Sequence, residues 1–214
     1  MSHKVNPKAF RIKELKDWSS RWFSEKNYQK YLKEDCKIRD FLNKELRGLS
    51  VESIEIERFE NNLRVIINTA RPALVICRNG SRVTQLKENI EKEIDTDGVK
   101  FKIEVREVKD PWSSANLTAQ WVAGEIEKRT HYRRAMKKAL GKASKRKDVE
   151  GIKIELSGRL NGADIARREW GQKGSLPRQN LRANIDFAKA NAYCKYGVVG
   201  VKVYIYKGKE FEEK

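Results

Sequence analysis

The sequence predicts an α+β protein. A helix–strand–strand–helix–helix–strand unit over 34–109 is followed by a C-terminal unit over 110–214, built of two helices and an antiparallel sheet. Three observations carry this. The apolar period switches between helical and two-residue spacing in that order through the first half. Asp110-Pro111 interrupts the pattern, because proline disfavours helix at the residue before it. Beyond it, two helical periods give way to alternation that is strongest at Val199, Val201, Val203 and Ile205, an α+β signature.

Residues 1–33 mix bases with Phe10, Trp18, Trp22, Phe23, Tyr28 and Tyr31 at no clear period. They are expected to form an arm with a short helix that leans on another part of the molecule. Ile38, Phe41, Leu42, Leu46 and Leu49 then recur at helical spacing, with Gly48 near the stop. Val51–Phe59 alternates, Ile54 and Ile56 facing one way and Glu55 and Glu57 the other. Asn61-Asn62 is turn chemistry, and Leu63–Thr69 completes a hairpin that Arg71-Pro72 ends. Ala73–Cys77 reads as a short helix and Arg78-Asn79-Gly80 as a break. A further helix starts at Ser81, taken as its N-cap, with Val83, Leu86, Ile90 and Ile94 inward. Asp97-Gly98 is a turn, and Val99–Val108 alternates through Phe101, Ile103 and Val105.

In the second half, Ser113–Arg129 places Leu117, Trp121 and Ile126 on one helical side. Thr130–Lys147 does the same with Tyr132, Met136 and Leu140. Ile152, Ile154 and Leu156 alternate on a strand, and Gly158–Gly162 is rich in turn residues. The rest reads as strands, with loops expected at Gly171–Pro177 and Tyr196–Gly200.

Composition narrows the function. Of 214 residues, 47 are Lys or Arg and 30 are Asp or Glu, a formal charge of +17. Charged residues reach 36%, against about 25% in an ordinary domain. Five Trp, seven Tyr and seven Phe exclude a disordered basic tail. No apolar run approaches the ~18 residues that span a bilayer, and Met1–Lys13 carries no secretory apolar region. Cys36, Cys77 and Cys194 lie far apart, which fits reduced cytosolic thiols rather than disulfides or zinc. The expected partner is a polyanion, nucleic acid first, with no membrane, cofactor, metal or small-molecule substrate. Enzyme chemistry is poorly supported: the histidines are His3 and His131 alone, and there is no phosphate-loop lysine motif. Asp164, Glu169 and Asp186 suit salt bridges to nearby arginines better than metal binding.

Three features remain that suit RNA. The loop Cys77-Arg78-Asn79-Gly80, between two helices of a three-strand unit, matches the way a KH domain brings backbone against a sugar-phosphate chain. The first glycine of that GxxG pattern is Cys77. Next comes an acid-free run, Arg129, Arg133, Arg134, Lys137, Lys138, Lys142, Lys145, Arg146 and Lys147. Its four-residue spacings align Arg129, Arg133 and Lys137 along one helical face. Last, Ser157–Trp170 sets Arg159 in a glycine turn ahead of Arg167, Arg168 and Trp170, followed by the basic loop carrying Lys173 and Arg178. The arginines suit phosphates. Trp170 suits core packing better than base stacking.

These residues together resemble the bacterial small-subunit ribosomal protein three family. Ser2-His3-Lys4-Val5-Asn6-Pro7 with Phe10-Arg11 is similar to its N-terminal arm, and Thr69-Ala70-Arg71-Pro72 to the entry of its KH loop. His131-Tyr132-Arg133-Arg134-Ala135-Met136-Lys137-Lys138-Ala139 is similar to its basic helix. Ser157–Trp170, Leu181–Asp186 and Tyr196–Val203 are similar to its C-terminal domain. The resemblance implies an arm over 1–33, a type II KH domain over 34–109 and the family's C-terminal domain over 110–214. It implies a structural, non-enzymatic ribonucleoprotein role in translation, in the head of the cytoplasmic small subunit. There the protein binds ribosomal RNA beside the tenth and fourteenth small-subunit proteins and lines the messenger entry channel. Arg133, Arg134, Lys137 and Lys138 are then expected on messenger RNA. Lys4, Arg11, Arg129, Lys142, Arg159, Arg167, Arg168, Lys173 and Arg178 are expected on ribosomal RNA. Cys77, Asn161 and Ser175 depart from the family's usual glycine, glycine and arginine. A free KH-type regulator of single-stranded RNA is the alternative; Cys77 and the long 1–33 stretch weigh against it.

Overall fold

A computed structural model describes residues 5–15, 18–59, 62–93 and 100–209. In chain order the first elements are α1 (Pro7–Leu15), β1 (Ser20–Arg21), α2 (Tyr28–Glu45), β2 (Val51–Phe59), β3 (Asn62–Thr69), α3 (Pro72–Ile76), α4 (Ser81–Glu93) and β4 (Lys100–Glu107). They are followed by α5 (Ala115–Glu127), α6 (Tyr132–Ala143), β5 (Gly151–Gly158), β6 (Arg167–Gly174), β7 (Ala183–Cys194) and β8 (Gly197–Lys209). The chain divides into two units, Trp18–Lys109 and Met1–Asp17 joined with Asp110–Lys214. The stretch 1–33, expected as one arm, is therefore shared between them. Lys4, Asn61, Ile94 and Asp97-Gly98 lie outside the described residues.

The Trp18–Lys109 unit holds a four-stranded sheet in the order β1-β2-β3-β4. β2 and β3 are antiparallel, while β3 and β4 are parallel. The alternation seen in the sequence is the burial pattern: Ile54, Ile56, Val65 and Ile67 meet Ile38 and Leu42 of α2 and Leu86 and Ile90 of α4. α2 starts earlier than its apolar period, at Tyr28, because an aromatic cluster extends it. The Trp22 ring lies 5.4 Å from Tyr28 and 5.6 Å from Tyr31. Ser81 is not an N-cap; it already has helical backbone angles, continued from a 3-10 turn over Arg78–Gly80.

The other unit holds a four-stranded antiparallel sheet in the order β6-β5-β8-β7. Ile152, Ile154, Leu156, Val201, Val203 and Ile205 face α5 and α6, whose inner sides are largely alanine: Ala115, Ala119, Ala123, Ala139 and Ala143. Small side chains let helix and sheet approach closely. At Gly171 of β6 even a methyl group would stand 2.9 Å from the Leu140 Cδ1 of α6. On the opposite face Phe187 packs on Tyr204 at 4.7 Å, and Tyr206 closes over Ala183 and Ile185. The loop placed at Gly171–Pro177 begins later, because Gly171–Gly174 stay paired with β5. The expected loop at Tyr196–Gly200 is also strand from Gly197 onward, since Cys194 pairs directly with Gly197 across a tight turn.

Candidate nucleic-acid interface

α6 begins where His131 caps it. The imidazole Nδ1 accepts the Arg133 N–H at 3.3 Å, and its ring stacks on Tyr132 at 4.9 Å. Tyr132, Ala135, Met136, Ala139 and Ala143 are buried. This leaves Arg133, Arg134, Lys137, Lys138 and Lys142 exposed around the other half of the helix. No acid lies within Tyr132–Ala143.

These bases are not equivalent. Arg133 is held by Glu169 of β6, its Nε donating at 3.2 Å and its terminal nitrogen at 3.1 Å. The Tyr132 hydroxyl donates to the same carboxylate at 2.6 Å. The Arg133 hydrogen bond, then that of Tyr132, holds the Glu169 carboxyl below the usual range. The bond to Glu169 in turn raises the pKa of Arg133 and of Tyr132. At neutral pH Glu169 is thus charged and competes with any phosphate for Arg133. Lys138 lies 5.2 Å from the Trp121 ring, and Lys142 lies 4.7 Å from Trp112 and 5.2 Å from Trp121, in cation–π range. Arg134 and Lys137 are exposed and have no carboxylate partner among the described residues.

Arg129 does not continue the stripe. It sits between α5 and α6 at φ +64, because α5 ends at Glu127 and the chain must reverse before α6.

The KH loop lies between α3 and α4. Cys77 has φ +60 and ψ −173, a region used almost solely by glycine. The position expected to hold the first glycine of a GxxG loop thus carries a cysteine side chain on a glycine-type backbone. Cys77 and Arg78 are exposed, Gly80 has φ +71, and the Cys77 Sγ donates to the Leu74 carbonyl at 3.4 Å.

In the C-terminal segment, Arg159 donates to the Ala163 carbonyl at 2.9 Å and to Asp164 at 3.2 Å. Asn161 takes φ +54, ψ +27, left-handed backbone that asparagine tolerates. Arg167, Lys173 and Arg178 are exposed. Arg168 is paired with the buried Glu155 of β5. Trp170 does not pack in the core. It is 58% exposed, because it sits opposite Glu155 on the sheet face turned away from the helices. The Lys153 Nζ lies 4.3 Å from its ring centroid.

Arg11 is corrected most clearly. It is only 2% exposed, and its guanidinium donates to the carbonyls of Pro7, Arg178 and Asn180 at 2.8–3.2 Å. It therefore anchors α1, its guanidinium committed to carbonyls of this chain rather than presented at the surface as expected. Lys4 is outside the described residues. Asp164, Glu169 and Asp186 do not meet. Each is spent on a cation, Asp164 on Arg159, Glu169 on Arg133 and Asp186 on Lys8 at 2.8 Å. Asp186 also accepts the Ala115 N–H at 2.8 Å, which caps α5. Among the described residues no group of acids, histidines and cysteines suits a metal ion, and no helix is long and apolar enough to cross a membrane. Sequence reasoning expected Glu169 to pair with an arginine but did not single out Arg133, and it missed Trp112 and Trp121 as seats for lysines. These pairs cross between elements and leave no local spacing to find.

Two family models match the chain, the C-terminal domain of ribosomal protein S3 over residues 122–205 and the KH domain over 37–113. The small ribosomal subunit protein uS3 of Caldicellulosiruptor saccharolyticus is 46% identical, over 100% of this chain and 96% of that protein. Its counterpart in Kosmotoga olearia is 46% identical over 100% and 98% of the two. That of Methylococcus capsulatus is 45% identical over 99% and 94%.

Proposed function

The chain belongs to the uS3 family of small ribosomal subunit proteins, and on that footing we propose that α6 lines the path by which messenger RNA enters the subunit. The coarser role follows from membership: a non-enzymatic structural component of the cytoplasmic small subunit, bound to ribosomal RNA and contributing to translation. The observation that supports the finer reading is the acid-free basic half of α6, with Arg134 and Lys137 exposed and uncommitted to any described carboxylate.

The chemistry is electrostatic clamping. Each cation that neutralises a phosphate releases a counterion, and affinity then falls with salt. Arg134 and Lys137 take phosphates directly. Arg133 does so in exchange for Glu169, and Lys138 by leaving Trp121. A strand held this way is strained as the ribosome pulls it, which favours unpaired messenger ahead of the channel. The KH loop Cys77–Gly80, with Arg159, Arg167, Lys173, Arg178 and Lys142, faces ribosomal RNA in this reading. The tenth and fourteenth small-subunit proteins are its neighbours.

Arg134→Ala combined with Lys137→Ala tests it. Subunits carrying the double variant are expected to translate a messenger with a stable hairpin several-fold more slowly, and an unstructured messenger at the normal rate. Loss of the variant from sedimenting small subunits would make the stripe a ribosomal RNA anchor and sink the messenger reading.

A further inference from the structure

A cleft of about 680 Å³ opens at one end of the C-terminal sheet. It lies where the α5–α6 turn, the turn after β5 and the β7–β8 turn meet. Arg159, read above only as one of several bases facing ribosomal RNA, lies in its wall, and the cavity itself has been given no occupant. Its size falls within the ~300–1,000 Å³ of ligand clefts.

The walls combine flat rings with cations. Tyr196, in the β7–β8 turn, is 54% exposed. Its ring rests on Gly162, where a methyl group would come within 2.9 Å of two ring carbons. Gly162 is thus the seat that lets the ring lie against the neighbouring turn, and its φ of +77 suits glycine in any case. The Arg159 guanidinium lies 5.6 Å from the Tyr196 centroid and is pinned by the Ala163 carbonyl and Asp164. Across the cleft, the exposed His131 ring is backed by Tyr132. Arg129 and Lys195 complete the lining and are exposed. The lining carboxylate, Glu127, is occupied by the Tyr193 N–H at 3.0 Å. Fixed rings with several cations and one committed acid match a nucleobase with its phosphate. Unpaired RNA bases are read in this way, by stacking on aromatic and arginine planes.

We propose that this cleft receives one unpaired nucleotide of an RNA strand, its base against Tyr196 and its phosphate near Arg129 and Lys195. The proposal deepens the RNA-binding reading above and rests on it for the identity of the strand. Tyr196 is the stacking residue, and Gly162 positions it.

Two measurements test it. Small subunits are reconstituted with the wild-type chain, Tyr196→Ala and Tyr196→Phe, and base-reactive probing reads their RNA. One base protected in the wild type is expected to become reactive with Tyr196→Ala and to stay protected with Tyr196→Phe. The same pattern with all three chains, or reactivity changes scattered over many nucleotides, would overturn the cleft. Separately, the full-length free chain is titrated with a short single-stranded oligoribonucleotide carrying 2-aminopurine. Tyr196→Ala is expected to weaken binding by about fivefold or more, the loss of one stacked base, and an unchanged affinity would refute the stacking. Adenosine monophosphate alone binding as tightly as the oligonucleotide would assign the cleft to a free nucleotide and overturn the RNA assignment. A wild-type chain that does not enter subunits would instead remove the ribosomal reading, while the titration still reports on the cleft.

Discussion

Cys77 places a β-carbon on backbone angles that glycine ordinarily occupies. At φ +60 and ψ −173 it occupies a region that costs a non-glycine residue about 1–3 kcal/mol. Glycine relieves that strain but loses about 0.4–1 kcal/mol through the unfolded chain. Strain relief wins. Cys77→Gly is therefore expected to stabilise the KH unit by about 1 kcal/mol, read as a higher denaturant midpoint at unchanged slope. It should also bring the loop backbone closer to RNA, so affinity for a single-stranded oligonucleotide rises rather than falls. A lower midpoint would mean that the thiol contributes packing the backbone angles do not reveal. The cysteine itself was legible in the sequence; its backbone angle was not. The arginines divide in the same way. Arg11, Arg133, Arg134 and Arg168 look alike along the chain, yet Arg11 is sealed by carbonyls, Arg168 is paired with buried Glu155 and Arg133 is shared with Glu169. Only cross-element geometry ranks them as phosphate ligands.

At the scale of elements, strands were the most legible, because a half-buried strand writes its two-residue period directly into the sequence. β2 covers Val51–Phe59, the span its alternation predicts. Residues 18–33 were illegible, because a buried polar cluster holds them in place of an apolar stripe. Asp35 on α2 is fully buried. It accepts from the Ser20 hydroxyl at 2.8 Å, from the Trp22 indole at 2.8 Å and from Arg58 at 2.7 Å. Arg58 also reaches Glu34 at 2.6 Å. One carboxylate thus ties β1 and the aromatic cluster to α2 and β2. Asp35→Ala leaves the nearly buried Arg58 with less compensation, a change that typically costs about 3–5 kcal/mol. Glu34 still faces Arg58, which argues for the lower end. The expected outcome is a fall of about 3 kcal/mol in the stability of the Trp18–Lys109 unit, with faster amide exchange over Ser20–Tyr31. A loss below about 1 kcal/mol would show that the aromatic packing of Trp22 holds the segment without the carboxylate.

For the whole molecule, the organising fact is a discontinuity. α1 belongs with the C-terminal unit although the entire Trp18–Lys109 unit separates them in sequence. No period or motif reports such a contact. The sequence showed only that the first residues needed a partner, and basic charge near the N-terminus invited an RNA reading. Physics decides otherwise for Arg11. Its hydrogen bonds to the Arg178 and Asn180 carbonyls fasten α1 to the segment leading into β7, where Lys8 meets Asp186 and α1 packs on the strand. Charge-assisted bonds of this kind contribute about 1.5–3 kcal/mol where they are buried. Arg11→Ala breaks them together and uncovers carbonyls, so a loss of about 2–4 kcal/mol is expected in the unit that holds β5–β8. The Trp18–Lys109 unit should keep its stability, and amide protection should fall first in β7. RNA binding separates this from the earlier reading. A phosphate ligand's removal lowers the slope of log affinity against log salt by about 0.7–0.9 per contact. Arg11→Ala should leave that slope unchanged at temperatures where the unit remains folded, whereas Arg134→Ala should reduce it. A reduced slope with intact stability would return Arg11 to the RNA surface. An unchanged slope with a weakened β7 fixes it as the clasp that closes a domain across 167 residues of sequence.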